Sequence, residues 1–126
     1  MSRILVIDDE HQIRAMLREA LELLHHEVQE AKNGEEGVRL YQTQPSDLVI
    51  TDILMPEKEG LECILELRRI NPAVRVIAIS GGSRFHAMDV LDVASRLGAT
   101  RTFRKPFDLG EVVAAVQEEL EGRRAA

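Results

Sequence analysis

The sequence predicts an α/β domain built on one five-stranded parallel sheet with helices on both faces. Three observations carry that expectation. The apolar runs Ile4–Ile7, Leu48–Ile50 and Val76–Ile79 show no polar alternation, the pattern of strands buried on both sides. Segments with apolar residues at helical spacing stand between them. The order strand–helix repeats five times, and right-handed crossovers then give a doubly wound parallel sheet.

Taken in order, the first strand ends in "DDE" (8–10), three consecutive acids with no basic residue until Arg14. Ile13, Met16, Leu17, Ala20, Leu21 and Leu24 then form one apolar stripe of a first helix. His25 and His26 fall at its end, where partial positive charge complements the helix dipole. "EVQEA" (27–31) is polar enough for an edge strand. Asn33 followed by Glu36 opens a short second helix. The third strand ends at Thr51–Asp52, and a third helix runs from Gly60 to Ile70, stopped by Asn71–Pro72. The fourth strand ends at Ser80, before Gly81–Gly82, and a fourth helix extends from Ser83 to Leu97, closed by Gly98. "TRTFR" (100–104) is the second edge strand, followed by Lys105–Pro106. The last helix opens at Asp108 with Glu111 three residues on, and carries Leu109, Val112, Val113, Val116 and Leu120. One domain is expected over residues 1–122, with a short tail at 123–126.

Composition narrows the function. The chain has 126 residues, 44% of them hydrophobic and 30% charged, as in an ordinary globular protein. Its 16 basic and 22 acidic residues give a net charge of −6, which argues against a broad nucleic-acid or membrane surface. Cys63 is the only cysteine; it has no partner for an internal disulfide and reads as a small apolar helix residue. The apolar run at the N-terminus is too short for a signal peptide or a membrane span. A cytoplasmic location is expected, without direct nucleic-acid or membrane contact.

In open α/β sheets ligands bind beyond the carboxyl ends of the strands, where the winding reverses. There the sequence places Asp8, Asp9 and Glu10, then Asp52, then Ser80, then Lys105. Singly, each has a plain reading: Asp9 as the N-cap of the next helix, Asp52 as a turn cap, Lys105 as a solvated edge residue. Together, at successive strand ends, they form a set. Two carboxylates about 5 Å apart repel by about 3 kcal/mol at an effective dielectric of about 20. Such a group needs a cation or a proton, and an all-oxygen site with room for water suits Mg²⁺.

The segments "IDDE" (7–10), "DILMPEKEG" (52–60), Ser80 and "KPF" (105–107) resemble the response-regulator receiver domains of two-component signalling, in particular the stand-alone, chemotaxis-regulator type. The resemblance covers nearly the whole chain. It implies the flavodoxin-like strand order 2-1-3-4-5, with Asp52 as phosphoacceptor. It implies Mg²⁺ held directly by Asp9, Asp52 and the backbone carbonyl of Leu54, with Asp8 acting through water. Lys105 and the Ser80 hydroxyl would contact the phosphoryl group, helped by backbone amides near Leu54 and Gly81. A cis bond is implied at Lys105–Pro106. The implied partners are a sensor histidine kinase or phosphotransfer protein and a downstream protein target, engaged through the fourth helix, fifth strand and fifth helix. No enzyme activity is implied beyond the domain's own phosphorylation and dephosphorylation.

Two departures from that family's pattern concern the output face. Thr102 stands where the family usually has an aromatic residue; Phe103, one position on, points to the opposite face of its strand. The span from Ser80 to Lys105 is also longer than usual by about three residues, close to one helical turn. The extra length falls in "GGSRFHAMDV" (81–90). That segment, with Phe85 and Met88, is expected to change order on phosphorylation and to form a partner surface with the fourth helix. The competing classes are an aspartate-nucleophile phosphohydrolase, whose usual second acid is replaced here by Leu54, and a receiver-like docking module without phosphotransfer. The four histidines are given no chemistry.

Overall fold

Five strands alternate with five helices in the computed structural model, which describes residues 2–53, 59–80 and 87–125. In chain order they are β1 (Arg3–Ile7), α1 (His11–Leu23), β2 (Glu27–Ala31), α2 (Gly34–Thr43), β3 (Leu48–Asp52), α3 (Glu59–Ile70), β4 (Val76–Ser80), α4 (Ala87–Leu97), β5 (Arg101–Arg104) and α5 (Leu109–Ala125). The sheet order is β2-β1-β3-β4-β5, and every pairing is parallel. The two polar strands, β2 and β5, are the edges.

The pleat sorts the core into two halves. Leu5, Ile7, Val49, Val76 and Ala78 face one side, packed by Tyr41 of α2, Ile64 and Leu67 of α3, and Ala94 of α4. Ile4, Val6, Leu48, Ile50, Ile77 and Ile79 face the other, against Leu17 and Leu21 of α1 and Val112, Val116 and Leu120 of α5. Because both faces are covered, the three central strands carry no polar alternation. Phe103 packs with the α1/α5 half, and Thr102 pairs with Ala78, so the two residues take opposite sides as their spacing requires.

Helix boundaries follow local chemistry. The Asn33 side chain accepts the Glu36 N–H at 2.8 Å, and the Glu36 carboxylate accepts the Lys32 N–H at 3.1 Å. Asp108 accepts the Glu111 N–H at 3.1 Å. The N-cap of α1 is Glu10, not Asp9, and its side chain makes no capping bond. The histidines after α1 take structural tasks. His25 adopts the left-handed conformation at φ 67°, and the N–H groups of His25 and His26 close the helix on Glu22 and Leu21 carbonyls. His26 is buried, and its Nε2 meets Gln117 Oε1 of α5 at 2.6 Å. It joins two helices. The expected start of the fourth helix at Ser83 lies outside the described residues, as do residues 81–86 of the lengthened segment.

At the amino-terminal end of the sheet, Glu119 of α5 is bonded to Arg75 at 3.0 Å and Arg101 at 2.9 Å. Burial pushes its carboxyl up, but the two guanidinium groups outweigh burial and hold it below its ordinary value of 4.5. A depressed folded value means that this stabilisation is present above the unfolded pKa and is lost as pH falls through the folded one. Glu119→Gln is therefore expected to cost about 1–2 kcal/mol at neutral pH. The variant and wild type should converge as pH falls through that folded value. Urea unfolding at neutral pH and along an acid series checks this; equal losses throughout would refute the ionic origin.

Candidate functional site

Sheet parity decides which polar residues meet. Val6, Ile50 and Phe103 point to the α1/α5 side, so the residues two further on, Asp8, Asp52 and Lys105, continue on that side. Strand pairing persists just far enough to hold them there. The Asp8 N–H bonds the Ala31 carbonyl at 3.0 Å, and the Lys105 N–H bonds the Ser80 carbonyl at 2.8 Å. The register Ile7↔Thr51 sets Asp8 beside Asp52. The Lys105–Pro106 peptide is cis, as the resemblance implied.

Lys105 Nζ lies 2.9 Å from Asp8 Oδ2, 2.8 Å from Glu10 Oε1 and 3.0 Å from Asp52 Oδ2. The side chains of Asp8 and Asp52 are only 2% and 3% exposed, that of Lys105 10%, and that of Glu10 58%. Asp8 also accepts the Glu10 N–H at 2.8 Å. Burial drives the Asp8 carboxyl above its ordinary value; the Glu10 amide and Lys105 oppose this, while the charge of Asp52 adds to it. Burial likewise disfavours the Lys105 ammonium, yet hydrogen bonds to Glu10, Asp8 and Asp52 raise it above its ordinary value. Part of the charge on "DDE" is thus offset by a lysine from the far end of the chain. Arg14 adds a bond to the Asp8 carbonyl at 2.7 Å.

One oxygen from each of Asp8, Asp9, Glu10 and Asp52 falls within 4.8 Å of the others. In an octahedral Mg²⁺ site with ligands at about 2.1 Å, opposite oxygens are about 4.2 Å apart. The hard, all-oxygen donor set therefore fits such an ion with small side-chain adjustments. Asp9 is exposed and has the opposite parity, so it borders the group without meeting Lys105. The Leu54 carbonyl and the Gly81 amide lie outside the described residues.

Ser80 ends β4 and is fully buried. Its Oγ has no hydrogen-bond partner among the described residues. An orphaned buried hydroxyl is costly, and this one stands on the strand next to Asp52, where Ile53 N–H bonds the Ile79 carbonyl at 2.8 Å. Glu10 is the site residue that sequence reasoning left without a role. The signal was present as the third acid of "DDE", but its contact with Lys105 spans 95 residues. Among the described residues no helix is long and apolar enough to cross a membrane.

Residues 4–117 match the family model of the response regulator receiver domain. The chemotaxis protein CheY of Thermotoga maritima is 35% identical over 117 residues, covering 92% of this chain and 95% of that protein. The DNA-binding transcriptional regulator NtrC of Azospirillum brasilense is 38% identical over 117 residues, 93% of this chain. The chain spans only 24% of that regulator. The solved structure of response regulator TrrA from Thermotoga maritima, in complex with Mg²⁺–BeF, is similar with a TM-score of 0.80 at 34% identity, over 94% of this chain and 99% of that one.

Proposed function

The chain belongs to the response-regulator receiver domains, and from that premise we propose that it accepts a phosphoryl group on Asp52 from a phosphohistidine of a sensor kinase or phosphotransfer protein. A carboxylate oxygen of Asp52 attacks phosphorus; the P–O bond forms as the P–N bond to imidazole breaks, and the departing nitrogen takes up a proton. Water later cleaves the acyl phosphate, returning the carboxylate and inorganic phosphate. Asp52 is suited to this role by its position at the end of a central strand, held in place by Lys105. Lys105 offers an ammonium to the phosphoryl oxygens, and the Ser80 hydroxyl offers a further donor. Asp8, Asp9 and Asp52, with the Leu54 carbonyl, would hold Mg²⁺. When bound, the ion offsets the negative charge of the carboxylates and phosphoryl oxygens. TrrA was solved in complex with Mg²⁺–BeF, which supports that assignment by likeness. The downstream target is a protein, engaged through the α4, β5 and α5 face.

The observation that carries this reading is the buried Ser80 hydroxyl, without a partner among the described residues, one strand from a buried carboxylate already touching lysine. Incubation with a small phosphodonor and Mg²⁺ is expected to add one base-labile phosphate to wild type and none to Asp52→Asn. Equal labelling of the two proteins would reject Asp52 as the acceptor. Steady turnover of small phosphomonoesters would favour a phosphohydrolase instead.

A further inference from the structure

The register of β1 with both neighbours ends at Ile7, which pairs with Ala31 and Thr51. Just past it the Asp8 N–H still finds the Ala31 carbonyl, but the Asp8 carbonyl takes a side chain, Arg14 Nη1 at 2.7 Å. The same guanidinium donates through Nε to Glu30 Oε1 at 3.1 Å, and Glu30 stands on β2 opposite Val6. The Arg14 side chain is only 15% exposed. One planar fork thus joins the end of β1, the start of α1 and β2, the three elements that meet at the acidic turn. That turn carries Asp8 and Asp9, whose oxygens fall in the cluster with Glu10 and Asp52. Because the Asp8 side chain also accepts the Glu10 N–H, a rotation of the Asp8 peptide would displace the whole turn.

We propose that Arg14 is a positioning residue for a divalent cation: by tying the Asp8 carbonyl to Glu30 of β2 it sets Asp8 and Asp9 at the spacing that Mg²⁺ requires. The proposal rests on the Mg²⁺ reading above and extends it to a residue that acts through the backbone of the acids. Mg²⁺ demands near-octahedral placement of its oxygens, so a loosened turn weakens binding even though every carboxylate is retained. Groups that orient metal ligands in this way are worth about tenfold or more in affinity. Charge alone predicts the opposite sign, because removing a cation beside a cluster of acids favours a bound cation.

The test is the affinity of the full chain for Mg²⁺, measured calorimetrically for wild type, Arg14→Gln, Arg14→Lys and Arg18→Gln. Urea unfolding in a chelator first establishes that each variant is folded. Arg14→Gln should bind Mg²⁺ about tenfold more weakly. Arg14→Lys keeps the charge but replaces the fork with a single point, and should be weakened as well. Arg18 is the control. Its bonds run to Glu22 and Glu30, so Arg18→Gln removes a cation from the same group and should stay within about twofold of wild type, as for a surface ion pair. Weakening in both Arg14 variants, with Arg18→Gln near wild type, supports positioning through the Asp8 carbonyl. Unchanged or tighter binding in Arg14→Gln, unchanged binding in Arg14→Lys, or an equal loss in Arg18→Gln overturns it. If Arg14→Gln does not fold, Arg14→Lys decides; failure of both to fold makes Arg14 a general structural residue and also overturns the proposal. A wild type that binds no Mg²⁺ is a separate result, in which the Mg²⁺ reading itself fails and the proposal falls with it.

Discussion

Lys105→Met is expected to lower metal-free stability at neutral pH by about 3–5 kcal/mol, the usual penalty for stranding a buried charge. The lysine is 10% exposed and touches two carboxylates that are almost wholly buried. Without it, Asp8 and Asp52 face each other in a desolvated crevice, where two such charges repel by about 3 kcal/mol. The pH dependence has a definite sign. Asp8 is already raised by burial, and losing the ammonium raises it further. A raised carboxyl contributes stability below its unfolded value and loses it as pH rises through the folded one. The variant should accordingly regain stability as pH falls from neutral toward 5, and Mg²⁺ at neutral pH should restore much of the loss by mass action. Urea unfolding in a chelator, in Mg²⁺ and across that pH range checks all three arms. A loss under about 1 kcal/mol, as for a surface pair, would show that the crevice is wetter than its burial implies.

Gly60→Ala should be the next most damaging change, costing about 2–3 kcal/mol through overpacking. A Cβ at residue 60 would press on the Ile53 Cα, stand 2.5 Å from the Asp52 carbonyl oxygen and 2.9 Å from the Ile53 carbonyl carbon. All three are backbone atoms of the segment that carries the proposed phosphoacceptor, so neither side has a flexible group to give way. The first turn of α3 must retreat, or the end of β3 must shift. Phosphate uptake on Asp52 is expected to fall along with stability, because placement of the nucleophile is what suffers. Gly37→Ala is the control. The three atoms nearest its Cβ all belong to the Ile7 side chain, whose end can rotate, so its loss should be smaller and uptake should persist. Equal losses for the two variants, with uptake intact in both, would mean that the α3–β3 contact is not rigid.

Much of the architecture follows from the chain read locally. Strands β1, β3 and β4 are unbroken apolar runs because helices cover both of their faces, and Asn33 and Asp108 announce their helices because capping is completed within one turn. Asp8, Asp52, Ser80 and Lys105 were expected at strand ends, and there they stand. Local pattern could not settle which neighbouring acid faces inward. Asp9 reads as well as Asp8 in "DDE", but the pleat continuing from Val6 turns Asp8 under the sheet edge and leaves Asp9 in solvent. Nor could it give Glu10 or His26 their tasks. Glu10 reaches Lys105 across 95 residues, and His26 reaches Gln117 across 91. Composition and periodicity report what a residue's own turn or strand requires. Which distant side chain arrives to share a buried charge or hydrogen bond is decided only when the strand order and register bring the two ends of the chain to one edge.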